Sequence, residues 1–163
     1  MKIAEFKDFR VSEVAHAINV TPKALRNWLL RDGFTPDSDS ADSWRSFSPY
    51  DVAVLAIVKH LVDFGISTKS AASMAADVLS GGIKTTLNDV RINPARLWAA
   101  SLSATFLFAF KDEEGEWKYF VSQEWDTAQR AVLRIQIGTI INEAFKKIGI
   151  VTNASGEPQE SES

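Results

Sequence analysis

Two short helical patterns that meet at a tight corner, between residues 11 and 33, constrain the fold of this chain more than any other feature. Ser12 is suited to cap the first helix, and Thr21 followed by Pro22 is suited to open the second. Asn19 lies at the corner, where the backbone often needs a positive φ that asparagine tolerates. Gly33 is suited to end the second helix. The segment therefore predicts a helix-turn-helix motif.

The second helix of this motif has two chemically different sides. Leu25, Trp28 and Leu29 recur at spacings of three and four residues and predict the buried side. The polar residues on the other side that can project outward together are Lys23, Arg26, Asn27 and Arg31. In such motifs the second helix enters the major groove, where Arg and Lys suit guanine and Asn suits adenine. The pattern favours sequence-specific DNA binding, with an ordinary solvated helix face as the alternative.

Residues 34–47 form a predicted wing. The segment begins as an acidic polar loop and ends in an alternation of aromatic and polar residues around Arg45. An arginine near the tip of a wing is placed to hold a phosphate, which positions a protein on DNA without reading its sequence. The alternative is that Arg45 pairs with Asp42 or Asp51.

A pair of helices is predicted after the wing. Ser48 is a suitable N-cap, proline follows it, and Asp51 stands three residues on as a variant of the capping box. This helix ends at Gly65, and Ser67 or Thr68 caps a second, alanine-rich helix that runs to about residue 79. The small alanine side chains predict close packing of the two helices.

Residues from about 9 to 80 resemble the DNA-binding domain of the MerR family of regulators. The positions that carry the resemblance are Leu25, Arg26, Trp28, Gly33, Arg45, Phe47, Ser48, Asp51 and Gly65. The resemblance implies a winged helix-turn-helix that binds an inverted repeat as a dimer, with Arg26 and Arg45 near DNA. Three features depart from the family pattern. Asn27 stands where many members have tyrosine, the wing is longer and more acidic, and no long heptad helix follows directly.

The second half of the chain has a different pattern. Residues 105–110 and 117–121 are rich in aromatic residues and flank a charged turn with Gly115, which predicts a β-hairpin. A hairpin needs a packing partner, and the predicted partner is a long helix over residues 127–148. One apolar stripe of this helix is the candidate dimer interface: Leu133, Ile137, Ile140, Ile141, Ala144 and Ile148. The alternative is that the stripe belongs to a monomer core.

The predicted fold class is mainly α with small β elements: an N-terminal winged helix-turn-helix, then a C-terminal β-hairpin plus long helix. Gly81 and Gly82 mark the predicted boundary. Residues 1–80 are then a DNA-binding domain, and residues 83–150 a domain for dimerisation or partner binding. Residues 151–163 lack apolar anchors and are predicted to be a disordered acidic tail.

Composition narrows the functional classes. The 163-residue chain carries a formal charge of −3, so attraction to DNA must depend on local placement of charge. It has no cysteine, which excludes thiolate metal sites and disulfides. No signal peptide and no membrane-spanning run is evident, so a cytoplasmic protein is predicted. His16 and His60 are interpreted as structural or surface residues, and the acidic hairpin tip as a solvated turn. We therefore predict no enzyme activity, no metal and no cofactor.

Two other functions remain open from the sequence. The first is an architectural or phage-type DNA-binding module, similar to an excisionase or a small terminase subunit, whose C-terminal half binds a protein partner. The second is a regulator that senses a small molecule. Its aromatic candidates for enclosing an effector are Trp98, Phe106, Phe108, Trp117, Tyr119, Phe120 and Trp125.

Overall fold

The computed structural model describes residues 9–31, 46–79, 105–122 and 133–149. The helices in these ranges are α1 (Val11–Ala17), α2 (Pro22–Arg31), α3 (Pro49–Asp63), α4 (Thr68–Val78) and α5 (Ile137–Lys147). The strands are β1 (Phe106–Lys111), β2 (Trp117–Ser122) and β3 (Leu133–Gln136). The predicted fold class is confirmed: helices dominate, with a small antiparallel sheet in the C-terminal part.

Helix α1 begins two residues earlier than the predicted cap at Ser12 requires. The carboxylate of Glu13 accepts a hydrogen bond of 2.8 Å from the backbone N–H of Arg10. Arg10, whose backbone is extended, is the N-cap residue, so Ser12 lies inside the first turn and the predicted cap is wrong.

The corner between α1 and α2 has the predicted geometry. Asn19 has a φ of +56°, in the left-handed region that asparagine tolerates. The hydroxyl of Thr21 accepts a hydrogen bond of 3.1 Å from the N–H of Ala24, which caps α2. Pro22 is the first residue of α2, where its missing N–H costs nothing.

Helix α3 is the central element of the core. Its N-terminus has the predicted capping box, in which Asp51 donates its N–H to the Ser48 hydroxyl (3.2 Å) and accepts the Ser48 N–H (2.8 Å). Residues 50–58 are all buried, so α3 is covered on every side over this part of its length. Gly65, with a φ of +86°, ends the helix, and the hydroxyl of Ser67 caps α4.

The N-terminal end of the described chain is tied to the entry of α3 by a short antiparallel bridge. Phe9 and Phe47 exchange two backbone hydrogen bonds of 2.9 Å each. Both side chains are buried in the core beside the helices.

The three strands form an antiparallel sheet in the order β2-β1-β3. The hairpin β1–β2 is as predicted, and Gly115 has a φ of +81° in its turn. The predicted long helix is wrong where β3 lies. Leu133 and Ile135 alternate with polar residues, a pattern that suits a strand as well as a helix over four residues, and β1 offers a free edge for pairing.

Helix α5 packs against α3 and α1 of the same chain. Among the six stripe residues, Ile137, Ile140, Ile141 and Ala144 are buried in one core with the N-terminal helices, and Leu133 and Ile148 are half-buried against it. A second copy would reach the four buried side chains only if α5 left the core. The stripe thus serves packing within one chain in this structure, and dimerisation stays a prediction.

Candidate nucleic-acid interface

Helix α2 is anchored by one side. Leu25 is fully buried, and Trp28 and Leu29 are half-buried against the core, as the spacing predicts. An α-helix turns by about 100° per residue, so the residues on the opposite side of α2 must face solvent. The cap at Thr21 fixes where the helix starts and hence which residues face outward.

The outward side of α2 is cationic. Lys23, Arg26 and Arg31 are exposed, and Asn27 is half-buried beside them. The helix contains no acidic residue, and none of the three basic side chains makes a salt bridge within the described ranges. Within the part of the chain that the structure describes, their positive charge is therefore available to an external anion.

The dimensions of this surface suit a DNA groove. An α-helix with its side chains is about 10–12 Å across, and the major groove of B-DNA is about 12 Å wide and admits it. The ten residues of α2 extend for about 15 Å. Of the described C-terminal elements, α5 packs on α3 and α1, and Lys23, Arg26 and Arg31 on α2 remain exposed.

Comparison with known proteins identifies this part of the chain. Residues 9–77 match the sequence model described as MerR HTH family regulatory protein. This segment, the MerR-type domain, is similar to the helix-turn-helix domain of that family. The match begins at the residue that bridges to Phe47 and ends in the last turn of α4, so it covers α1 to α4. No curated protein matches the chain.

The match gives the MerR-type domain a general role. The family of that model consists of DNA-binding transcription regulators. The match ends at residue 77, so the sheet and α5 lie beyond it.

Arg45 and most of the predicted wing lie outside the described residues. The wing's C-terminal end is described, and there Phe47 is anchored to Phe9 by the backbone bridge. Gly33, the boundary at Gly81 and Gly82, and the C-terminal tail also lie outside the described ranges, as do Trp98 and Trp125.

The corner of the MerR-type domain has a contact that the sequence did not indicate. The ammonium of Lys147 in α5 donates a hydrogen bond of 2.8 Å to the side-chain oxygen of Asn19. The two residues are 128 positions apart, and no local pattern pairs them. This bond links α5, the last described helix, directly to the turn that precedes α2.

The small cavity beside this contact does not resemble a metabolite site. It lies between α1, α3 and α5, is lined by Asn19, His60, Glu143 and Lys147 among others, and has a volume of about 40 Å³. Small-molecule sites in proteins are commonly some 300 Å³ or larger. The cavity therefore has room for a few water molecules.

Asp112, in the acidic hairpin tip, stabilises the turn between β1 and β2. The carboxylate of Asp112 accepts the backbone N–H of Glu116 at 2.8 Å and lies 3.3 Å from the ammonium of Lys118. Partial desolvation opposes these interactions, but together they hold the pKa of Asp112 below its ordinary value. Among the described residues, no group of three or more His, Asp or Glu side chains is arranged to hold a metal ion.

The described helices include none long and apolar enough to cross a membrane. His16 is exposed near the end of α1, and His60 is half-buried with its Nδ1 3.2 Å from the carbonyl oxygen of Ala56.

Proposed function

We propose that this protein regulates transcription by binding a specific DNA sequence through α2. The observation that carries the proposal is the two-sided helix. Leu25 holds one side in the core, while Lys23, Arg26 and Arg31 present positive charge on the other. A phosphate backbone attracts such a surface, and base edges in the major groove then supply specificity.

The side chains of α2 have different roles in this proposal. Arg26 suits bidentate binding to the O6 and N7 atoms of guanine, and Asn27 suits the N6 and N7 atoms of adenine. Lys23 and Arg31 lie towards the two ends of the helix and are assigned to phosphates or neighbouring bases. Arg45, in the predicted wing, is assigned to a phosphate.

We also propose that two copies bind an inverted repeat in the cytoplasm, without any catalytic step. A helix-turn-helix usually reads two half-sites about one helical turn apart, which requires a symmetric pair of proteins. Because four stripe residues of α5 are buried within one chain, we expect the pair to meet through another surface of residues 83–150. Residues 1–80 then bind DNA, and the remainder supports them and joins the two copies.

Selection of bound duplexes from random DNA by the full-length protein tests this function. We expect one enriched sequence, with an inverted repeat if two copies bind. Sedimentation of the complex with that duplex then gives the number of chains per DNA. The control is Arg26→Ala, which should lose enrichment at a guanine in each half-site. If no sequence is enriched but DNA is bound and bent, an architectural module is the better description, and if no duplex is bound, the proposal fails.

A further inference from the structure

One apolar side chain lies on the cationic side of α2, near the C-terminal end of the helix. Leu30 is 83% exposed, the most exposed of the three large hydrophobic residues that the described chain leaves in solvent. The other two, Phe64 (55%) and Val121 (44%), lie in the turn after α3 and in β2. Packing of α2 on the core therefore does not explain a leucine at this position.

The position of Leu30 on the helix is set by the helical repeat. At about 100° per residue, Leu30 lies roughly 140° from the buried Leu25. It lies about 40° from Arg26 and about 20° from Lys23 on the outward side. Leu30 thus lies on the same side of the helix as the positive charges that are proposed to hold DNA, and these charges favour a polyanion over an apolar protein surface as its partner.

We propose that Leu30 contacts the C5-methyl group of a thymine in the major groove. This inference rests on the proposed function of α2 and names a further residue that determines its specificity. The thymine methyl is the apolar group that base pairs present in the major groove, and apolar side chains recognise it. The other groups there are hydrogen-bond donors and acceptors, which a leucine does not satisfy.

The helix geometry also gives the spacing of this contact. Leu30 lies one turn beyond Arg26, a rise of about 6 Å along the helix axis. Successive base pairs are about 3.4 Å apart, so the thymine should lie one or two base pairs from the guanine bound by Arg26.

Substitution of single thymines by deoxyuracil in the selected duplex tests the contact, because it removes only the methyl group. The full-length protein should bind about 4-fold more weakly when the one critical thymine in a half-site is replaced, as expected for one methyl group returned to water. Leu30→Ala should bind the thymine and uracil duplexes equally. The matched control, Val121→Ala, removes another exposed apolar side chain. Its binding should still weaken about 4-fold when the critical thymine is replaced by deoxyuracil.

The outcomes separate this inference from the function on which it rests. If DNA is bound specifically but no thymine is sensitive to loss of its methyl group, the contact is refuted and the DNA-binding function stands. The same conclusion follows if Leu30→Ala retains the 4-fold difference. If no duplex is bound at all, the proposed function and the methyl contact are both refuted.

Discussion

Replacement of Ile141 by alanine is expected to destabilise the DNA-binding helices, although Ile141 lies more than sixty residues beyond the MerR-type domain. Ile141 is fully buried in α5, in the same core as α3. The substitution removes three carbon atoms and leaves a cavity, and such changes cost about 2–5 kcal/mol of unfolding free energy. For a chain of this size each kcal/mol lowers Tm by about 2–4 °C, so a fall of roughly 5–15 °C is expected.

Thermal melting followed by circular dichroism measures the total effect, and hydrogen exchange read by mass spectrometry locates it. Because α3 and α5 share one core, peptides from α3 should lose protection together with peptides from α5. The matched control is Lys146→Ala, an exposed residue of the same helix, which should change the free energy of unfolding by about 0.5 kcal/mol or less. Loss of protection confined to α5, with α3 unaffected, would refute the shared core and favour two independent domains.

Three further predictions concern single residues. Arg26→Ala should weaken binding to the selected duplex by about 1–3 kcal/mol and relax the preference at one base pair. Lys23→Ala should weaken binding to all duplexes and reduce the salt dependence of binding. Titrations at several salt concentrations measure both effects. Ser48→Ala should cost about 1 kcal/mol of unfolding free energy in urea melts, because it removes half of the capping box of α3. The hydroxyl of Tyr119 donates to Asp77, which raises the pKa of Tyr119. The stability from this bond is therefore present below the ordinary tyrosine pKa and lost as pH rises through the folded value, and Tyr119→Phe should remove that part of the alkaline decline.

The parts of the fold that follow local rules could be predicted from the sequence. The positive φ at Asn19, the cap at Thr21 and the capping box at Ser48 each depend on residues within four positions of one another. The outward side of α2 follows from the spacing around Leu25. These local features are enough to define the helix-turn-helix and the surface proposed to meet DNA.

The parts that depend on distant pairing could not be predicted. The pattern at Leu133 predicts a helix, because four alternating residues at the start of a longer apolar stripe fit either secondary structure. The segment is a strand because it pairs with the free edge of β1, more than twenty residues away in the sequence. In the same way, the apolar stripe of α5 predicts a buried face but not the elements that pack on it. The structure shows that these elements are α3 and α1. The bond from Lys147 to Asn19 has no sequence signal at all.

The most direct measurement of the central claim, that the outward side of α2 reads the major groove, is methylation interference on the selected duplex. Methylation of guanine N7 blocks the major-groove edge to which Arg26 is assigned. We predict that methylation of one guanine in each half-site prevents binding of the full-length protein, and that Arg26→Ala is insensitive to methylation of that same guanine. Interference that is confined to the minor groove, or an identical guanine pattern for Arg26→Ala, would contradict the claim.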